Sequence, residues 1–508
     1  MSEEKKLNQK LQRLQSLLKD VTNLNNASAL LGWDQQTYMP PGGAAARAEQ
    51  LATLEKLAHQ LFTTDEIGQL LADLADAGFE YDSDEAALVR VARREYDLAR
   101  KLPPALVEEM SRTFSLAQQI WQKARAEKDF SQFQDILAKI VDLNIQAAEA
   151  YGYDDNIYDA LLNQFEPGMK TAEVDAVFNQ LKAELVPLVQ AISAKKETVD
   201  DSPLRQNFDE QAQWDFGLIP LRAIGFDFER GRQDKSAHPF TTSFSVNDVR
   251  VTTRVYKDQF ATAIFGTLHE GGHALYEQGS AAELDGTMLA GGTSLGVHES
   301  QSRLWENVVG RSRAFWQFYY PRLQEFFPAQ LGQVSLDDFY RAINRVEPSF
   351  IRVEADEVTY NLHIFLRFEL EQELLTGRLA VADLPAAWNA KMQSYLGVTP
   401  PDDSQGVLQD IHWSGGMMGY FPTYTLGNVM SLQFYNRALA DIPDLPEQFA
   451  RGEFGALLGW FREHIHRHGR KYTATELIRR TTGDDGIKAG PYLAYIRQKY
   501  SDIYGLGE

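Results

Sequence analysis

The chain has 508 residues with no cysteine, 44% hydrophobic and 24% charged side chains, and a formal net charge of −21. The lack of cysteine excludes disulfides and thiolate metal sites, so any metal must use His, Asp or Glu. The acidic balance disfavours a nucleic-acid partner, which rewards clustered Lys and Arg, and no run of about 18 apolar residues offers a membrane span.

The first 18 residues form a charged amphipathic pattern without the apolar centre of a signal peptide, which points to the cytoplasm. Leu7, Leu11, Leu14, Leu17 and Leu18 make one apolar stripe. Further periodic segments predict helices over 44–62, 84–100, 104–128 and 130–151, broken by Pro40-Pro41-Gly42-Gly43. No fixed repeat is present. This half reads as a helical scaffold that walls a groove.

The pattern changes near residue 225. Residues 226–230, 239–245 and 249–255 alternate and are partly β-branched, which predicts a small antiparallel sheet. An exposed edge there would hold an extended peptide by main-chain hydrogen bonds.

Directly after it comes His269-Glu270-Gly271-Gly272-His273, an H-E-x-x-H motif. Ile264, Phe265, Leu268, Gly272 and Leu275, with Ala261, repeat at helical spacing, so the two histidines stack one turn apart and both reach one metal ion. Glu270 then lies beside the metal, where a carboxylate serves as general base. Two adjacent glycines inside a helix cost about 1 kcal/mol each relative to alanine, so close approach of a substrate or a neighbouring backbone must require them.

Residues 279–294 form a Gly-rich loop, of a length that usually signals function or mobility. A helix is expected to resume after it, with Trp305, Val308, Ser312, Phe315 and Tyr319 on one face and Glu299, Arg303, Glu306, Gly310 and Arg313 on the other. A catalytic zinc takes two His and one carboxylate and keeps a position for water. Glu277 lies one turn beyond His273 and cannot easily curl back, and Glu283 and Asp285 fall in the loop. Glu299 and Glu306 remain. Glu299 is favoured, with Glu306 as a partner for a histidine N–H. The later cluster His464, His466 and His468 reads as a solvated helix end, because its neighbours Arg462, Arg467, Arg470 and Lys471 repel a cation.

Five stretches follow in order: Asp248-Val-Arg250-Val-Thr252, the H-E-x-x-H motif, His298-Glu299-Ser300-Gln301, Ile351-Arg352-Val-Glu354-Ala-Asp356-Glu357, and Gly406-Val-Leu-Gln409-Asp410-Ile-His412-Trp413. They resemble the signature motifs of the carboxypeptidase Taq family of zinc-dependent metallocarboxypeptidases, and the likeness spans the whole chain, including Trp33-Asp-Gln-Gln-Thr-Tyr-Met-Pro. The resemblance implies a mainly α, gluzincin-type fold with a deep central groove, usually a homodimer, that removes single residues from peptide C-termini with broad specificity and poorly at proline. It makes Glu299 the third ligand of a Zn²⁺ (Co²⁺ and Mn²⁺ overlap in ligand preference) and matches Arg352 to the arginine that binds the substrate carboxylate.

A salt bridge to Glu354 or Glu357 is the bland alternative for Arg352, and Arg250 is a weaker candidate for the same role. His412 and Tyr420 are candidate donors to the tetrahedral oxyanion, and His238 a substrate-side donor. The expected organisation is one domain over residues 1–508: scaffold helices in 1–224, sheet and sites in 225–430, and C-terminal helices in 431–508. The competing readings are an endopeptidase or dipeptidase with the same metal site and, more remotely, a non-catalytic helical peptide-binding protein.

Overall fold

The computed structural model describes residues 3–507, so Met1 and Ser2 of the charged N-terminal segment lie outside the described residues, as does Glu508. The first helix, Glu3–Thr37, buries Leu11, Leu14, Leu17 and Leu18 against Ile67 and Leu71 of Asp65–Ala75 and Leu88 and Ala92 of Asp84–Lys101. A fully buried leucine contributes roughly 1.5–3 kcal/mol, so this stripe fixes the packing of the N-terminal helices. The loop at 279–294 is tied down here, because Leu284 and Leu289 close the same cluster. The other periodic segments form the helices Ala44–Phe62, Asp84–Lys101, Pro104–Glu127 and Ser131–Tyr151. A second, larger core runs from Ala117 to Tyr504. No described helix is long and apolar enough to cross a membrane.

The sheet differs from the expectation of an antiparallel one. It has three strands, β1 (Gly231–Lys235), β2 (Thr241–Ser245) and β3 (Asp248–Thr253), in the order β1-β3-β2. β2 and β3 form an antiparallel hairpin, but β1 runs parallel to β3, with Arg232 opposite Arg250. Residues 226–230 alternate yet form a turn: Phe226 and Phe228 pack edge to face, and the Asp227 carboxylate accepts from the backbone N–H of Glu229 and from Arg230. The strand starts at Gly231, where a Cβ would meet the carbonyl oxygen of Val249 at 2.3 Å.

The helix expected after the loop is also not continuous. Leu295–Arg303 passes into a π turn at Leu304–Val309, and a new helix, Arg313–Phe326, begins after Ser312, whose hydroxyl accepts from the N–H of Phe315. Ser312 is therefore a cap and not a member of the apolar face. π turns are frequent at functional sites, and this one carries Glu306.

Glycine explains how the site-bearing helices pack. A Cβ on Gly272 would lie 2.5 Å from the carbonyl oxygen of Gln301 and 2.7 Å from Cα of Ser302, and one on Gly427, in Pro422–Asp441, would lie 2.3 Å from Cβ of Glu299. Helix Leu295–Arg303 is thus clamped between two glycine surfaces. The close approach inferred from the Gly-Gly pair is to neighbouring protein: backbone at Gly272, and the side chains of Leu221 and Ile224 at Gly271.

Candidate metal centre and carboxylate end

Helix Phe260–Gly279 carries His269 and His273 one above the other, ring centroids 4.9 Å apart, and the glycine clamp brings Glu299 against them. Nε2 of His269 is 3.8 Å from one Glu299 oxygen and Nε2 of His273 is 3.9 Å from the other, and all three donor atoms lie within 4.8 Å of one another. These gaps are too long for hydrogen bonds. Two donors about 2.1 Å from one tetrahedral zinc stand roughly 3.4 Å apart, so the spacing suits an ion between them. Among the described residues this is the one group of three or more His, Cys, Asp or Glu side chains able to hold a metal.

The surrounding hydrogen bonds fix which ring nitrogens are free. Nδ1 of His269 donates to Glu306 at 2.8 Å. Burial alone would raise the Glu306 carboxyl, but Arg303 and His269 hold it at about 2, so it stays ionised. Nδ1 of His273 meets Nδ1 of His298 at 2.8 Å, and Nε2 of His298 meets Glu277 at 2.6 Å. A carboxylate only accepts, so a neutral His298 carries its proton on Nε2 and presents a lone pair on Nδ1. His273 must then donate from Nδ1. In their neutral forms both histidines therefore turn a bare Nε2 toward Glu299, the form a metal needs.

Burial lowers the His273 pKa well below the ordinary histidine value, with the neighbouring His269 and His298 adding to the effect. For His269 burial acts the same way, but Glu306 and Glu299 outweigh it and the ring is raised. A histidine raised by carboxylates marks a place short of positive charge, which a divalent ion would correct. Glu270, 6% exposed, is aimed by the Thr241 hydroxyl of β2, which donates to its carboxylate at 2.7 Å. Burial raises the Glu270 carboxyl above the ordinary range, against the pull of His269 and Thr241.

A second cluster holds Arg352, which is 4% exposed. Its partner is Asp410, with Nε at 3.0 Å and Nη2 at 2.7 Å from one carboxylate oxygen, while Nη1 donates to the hydroxyl of Tyr360 at 2.8 Å. Neither Glu354 nor Glu357 takes the salt bridge: Glu357 pairs with Lys499, and Glu354 lies 3.8 Å from Arg254. Arg367 donates to the other Asp410 oxygen at 2.7 Å. Burial alone would raise Asp410, but Arg352 and Arg367 hold it far below the usual carboxylate range. Two guanidinium groups against one carboxylate leave a positive surplus. Of the five N–H groups of Arg352, one on each terminal nitrogen has no acceptor among the described residues.

His412 and Tyr420 lie at this end, their rings 5.2 Å apart. Burial and the two arginines lower His412 to about 3, so it is neutral, and its Nε2 is 3.3 Å from the Tyr424 hydroxyl. Burial, with Glu299 adding, pushes Tyr420 up to about 12, so it remains a phenol. The two ends meet at Tyr360: the Arg303 guanidinium, which contacts Glu299 and Glu306, lies 4.4 Å from the centre of its ring.

Three sequence expectations fall elsewhere. Arg250 is paired with Asp248 through two 2.9 Å bonds and stacked over Trp33 at 4.3 Å, so it pins the N-terminal helix to the sheet. His238 is exposed in the β1–β2 connection, and its carbonyl accepts from Ser236. The His464–His468 stretch is not a solvated helix end: His466 is fully buried, 2.9 Å from Gln301, and lowered to about 3 mainly by burial. It fits there because Gly279 has no side chain, since a Cβ would meet it at 2.5 Å.

Residues 13–500 match the model of the carboxypeptidase Taq (M32) metallopeptidases. The chain belongs to that family. It is 45% identical to the thermostable carboxypeptidase 1 of Thermus thermophilus, over 97% of this chain and 99% of that protein. It is 40% identical to carboxypeptidase 1 of Bacillus subtilis, over 96% and 97%. The crystal structure of the M32 carboxypeptidase from Deinococcus radiodurans superposes with a TM-score of 0.95 at 44% identity, over 98% of this chain and 100% of that one. This M32 protein is a metal-dependent carboxypeptidase, a peptide hydrolase.

Sequence reasoning quoted His298 and Asp410 only within motifs and set Glu277 aside as a ligand, and it missed Thr241 and Ser243 around the metal centre and Arg367 and Tyr360 around Arg352. One signal was readable: hydroxyls alternate at Thr241, Ser243 and Ser245, just before two glutamates, Glu270 and Glu277, spaced two helical turns apart.

Proposed function

We propose that His269, His273 and Glu299 hold one divalent ion, preferentially Zn²⁺, and that Glu270 is the general base of a carboxypeptidase that releases single residues from free C-termini with broad specificity, poorly at proline. The observation that carries this reading is the convergence of three metal-competent donors within 4.8 Å beside a buried glutamate. The ion supplies Lewis acidity and eases deprotonation of water at neutral pH. Glu270, with its raised pKa, takes the proton of the attacking water and delivers it to the leaving amine.

The Tyr420 hydroxyl and a His412 N–H donate to the developing oxyanion, both being neutral donors that cost no charge reorganisation. Arg352 turns its two free N–H groups to the terminal carboxylate as a bidentate pair, held flat by Asp410 and Tyr360. This role suits it better than Arg250, whose guanidinium is spent on Asp248 and Trp33. We place the substrate in a groove between the metal centre and this arginine, and take the chain as one domain that works as a cytoplasmic homodimer, as the family likeness suggests.

Mass spectrometry of products from one unblocked peptide and its C-terminally amidated and N-terminally acetylated forms tests the direction of attack. The free and acetylated peptides should shorten stepwise from the C-terminus and stop with a chelator, while the amidated peptide should be poor. Ready cleavage of the amide, or release from the N-terminus, would sink the carboxylate reading and leave the metal centre standing.

A further inference from the structure

The two histidines are backed by unlike partners. His269 is held by an ionised carboxylate directly, whereas His273 is held by a second imidazole, which is in turn held by a carboxylate. The far end of that chain is built with care. Glu277 accepts from the Ser243 hydroxyl of β2 at 2.7 Å and from the backbone N–H of Gly292. A Cβ on Gly292 would meet Cδ2 of His298 at 2.4 Å. The glycine-rich loop therefore lies where it does because it closes against His298 and Tyr276, whose rings are 5.0 Å apart.

We propose that Ser243, Glu277 and His298 form a positioning relay that sets how tightly His273 grips the metal, making β2 a support for the metal as well as for Glu270. The physical basis is tautomer control. With Glu277 a carboxylate, which only accepts, and His298 neutral, Glu277 fixes the proton of His298 on Nε2, which keeps Nδ1 of His298 an acceptor. That acceptor keeps the proton of His273 on Nδ1 and its Nε2 bare. If the chain breaks, His273 is free to carry its proton on Nε2 or to rotate, and each such state must be reversed before the metal is held. Partners of this kind change metal affinity by about 10–100-fold in other sites. His273 should be the weaker arm, because its negative charge is one residue further away than that behind His269.

The inference rests on the reading of His269, His273 and Glu299 as ligands, and the experiment separates the two. The readout is the rate of Zn²⁺ release from folded, loaded protein into a chromophoric chelator, well below the unfolding temperature. Glu299→Ala should fail to retain Zn²⁺, which tests the ligand set alone. His298→Phe keeps a ring against Tyr276 but leaves Nδ1 of His273 without its acceptor, and should speed release about 10–100-fold. Glu277→Gln keeps an acceptor but loses the charge and should speed release about tenfold, and Ser243→Ala about threefold.

Because the relay is serial, Glu277→Gln should add little once His298→Phe is present. Residues with merely structural roles would lower the melting temperature of the metal-free protein, leave release unchanged and combine additively. Wild-type release rates in Glu277→Gln, or additive effects in the double variant, overturn the relay. Should His298→Phe not fold, the Glu277→Gln and Ser243→Ala rates decide the question. Retention of Zn²⁺ by Glu299→Ala would overturn the ligand set instead.

Discussion

The two ends of the site are built on opposite plans. At the metal end Glu270, Glu299 and Glu306 outnumber Arg303 and Arg311, the geometry is set by helices clamped at glycine, and the place left open suits a cation. At the other end Arg352 and Arg367 outnumber Asp410, the groups come from segments up to 58 residues apart, and the place left open suits an anion. A peptide terminus offers both complements, a polarisable carbonyl and a carboxylate. On the reading proposed for Arg352, the sharing of charge, more than either cluster alone, would tell which end of a peptide enters first.

The comparison breaks most sharply at Glu270. Replacement by Gln removes the proton carrier without touching a proposed ligand, so kcat should fall by about 10²–10⁴-fold while metal content stays at one ion per chain. Near-wild-type turnover with metal bound would show that proton transfer runs elsewhere.

A smaller break is expected at the opposite end. Arg352→Ala should lower kcat/KM roughly tenfold to several hundredfold, since a charge-assisted pair is worth about 1.5–3 kcal/mol, more when desolvated. Zn²⁺ should remain bound. The penalty for C-terminal amidation should largely vanish in this variant, because the partner of the carboxylate is already gone. If amidated and free peptides still differ as in the wild type, Arg352 does not read the carboxylate. The substitution also leaves Asp410 with one guanidinium, so a matched measurement of thermal stability is needed to separate the two effects.

The same contrast explains what could be read from sequence. His269, Glu270 and His273 lie within five residues on one helix, so their geometry follows from the rise and twist of that helix alone. Glu299 comes within reach of the histidines only through one long-range contact, and Glu306, the other candidate, sits in a π turn that no periodicity announces. Arg352 could be named only through a family motif, because its partner Asp410 sits in a different loop and nothing local to either residue pairs them. The parallel strand β1 was missed for a related reason: residues 226–230 have strand alternation, yet side-chain-to-backbone bonds from Asp227 close a turn there. His466 was misread because a basic neighbourhood in sequence says nothing about a glycine on another helix that makes room for a buried ring.

The smallest expected effect concerns a residue behind the metal end whose chain neighbour packs at the other. Glu166 is fully buried; it accepts from the N–H of Gly296 at the start of the Glu299 helix, and its neighbour Phe165 lies edge-on to Tyr420 with ring centroids 5.2 Å apart. Burial pushes its carboxyl up to about 7, against the hydrogen bonds from Gly296 and Ser294. In the unfolded chain it returns to the ordinary range near 4.3. Between those values the folded state binds more protons than the unfolded one, so Glu166 lowers stability as pH rises through that window, by roughly 4 kcal/mol in all, and no further above it. Glu166→Gln keeps a carbonyl oxygen for Gly296 and carries no titrating proton. Its unfolding free energy relative to wild type should therefore grow from about pH 5 to about pH 7 and then level off, with turnover at neutral pH little changed. A difference that stays flat with pH would mean that Glu166 titrates as an ordinary carboxylate in the folded protein.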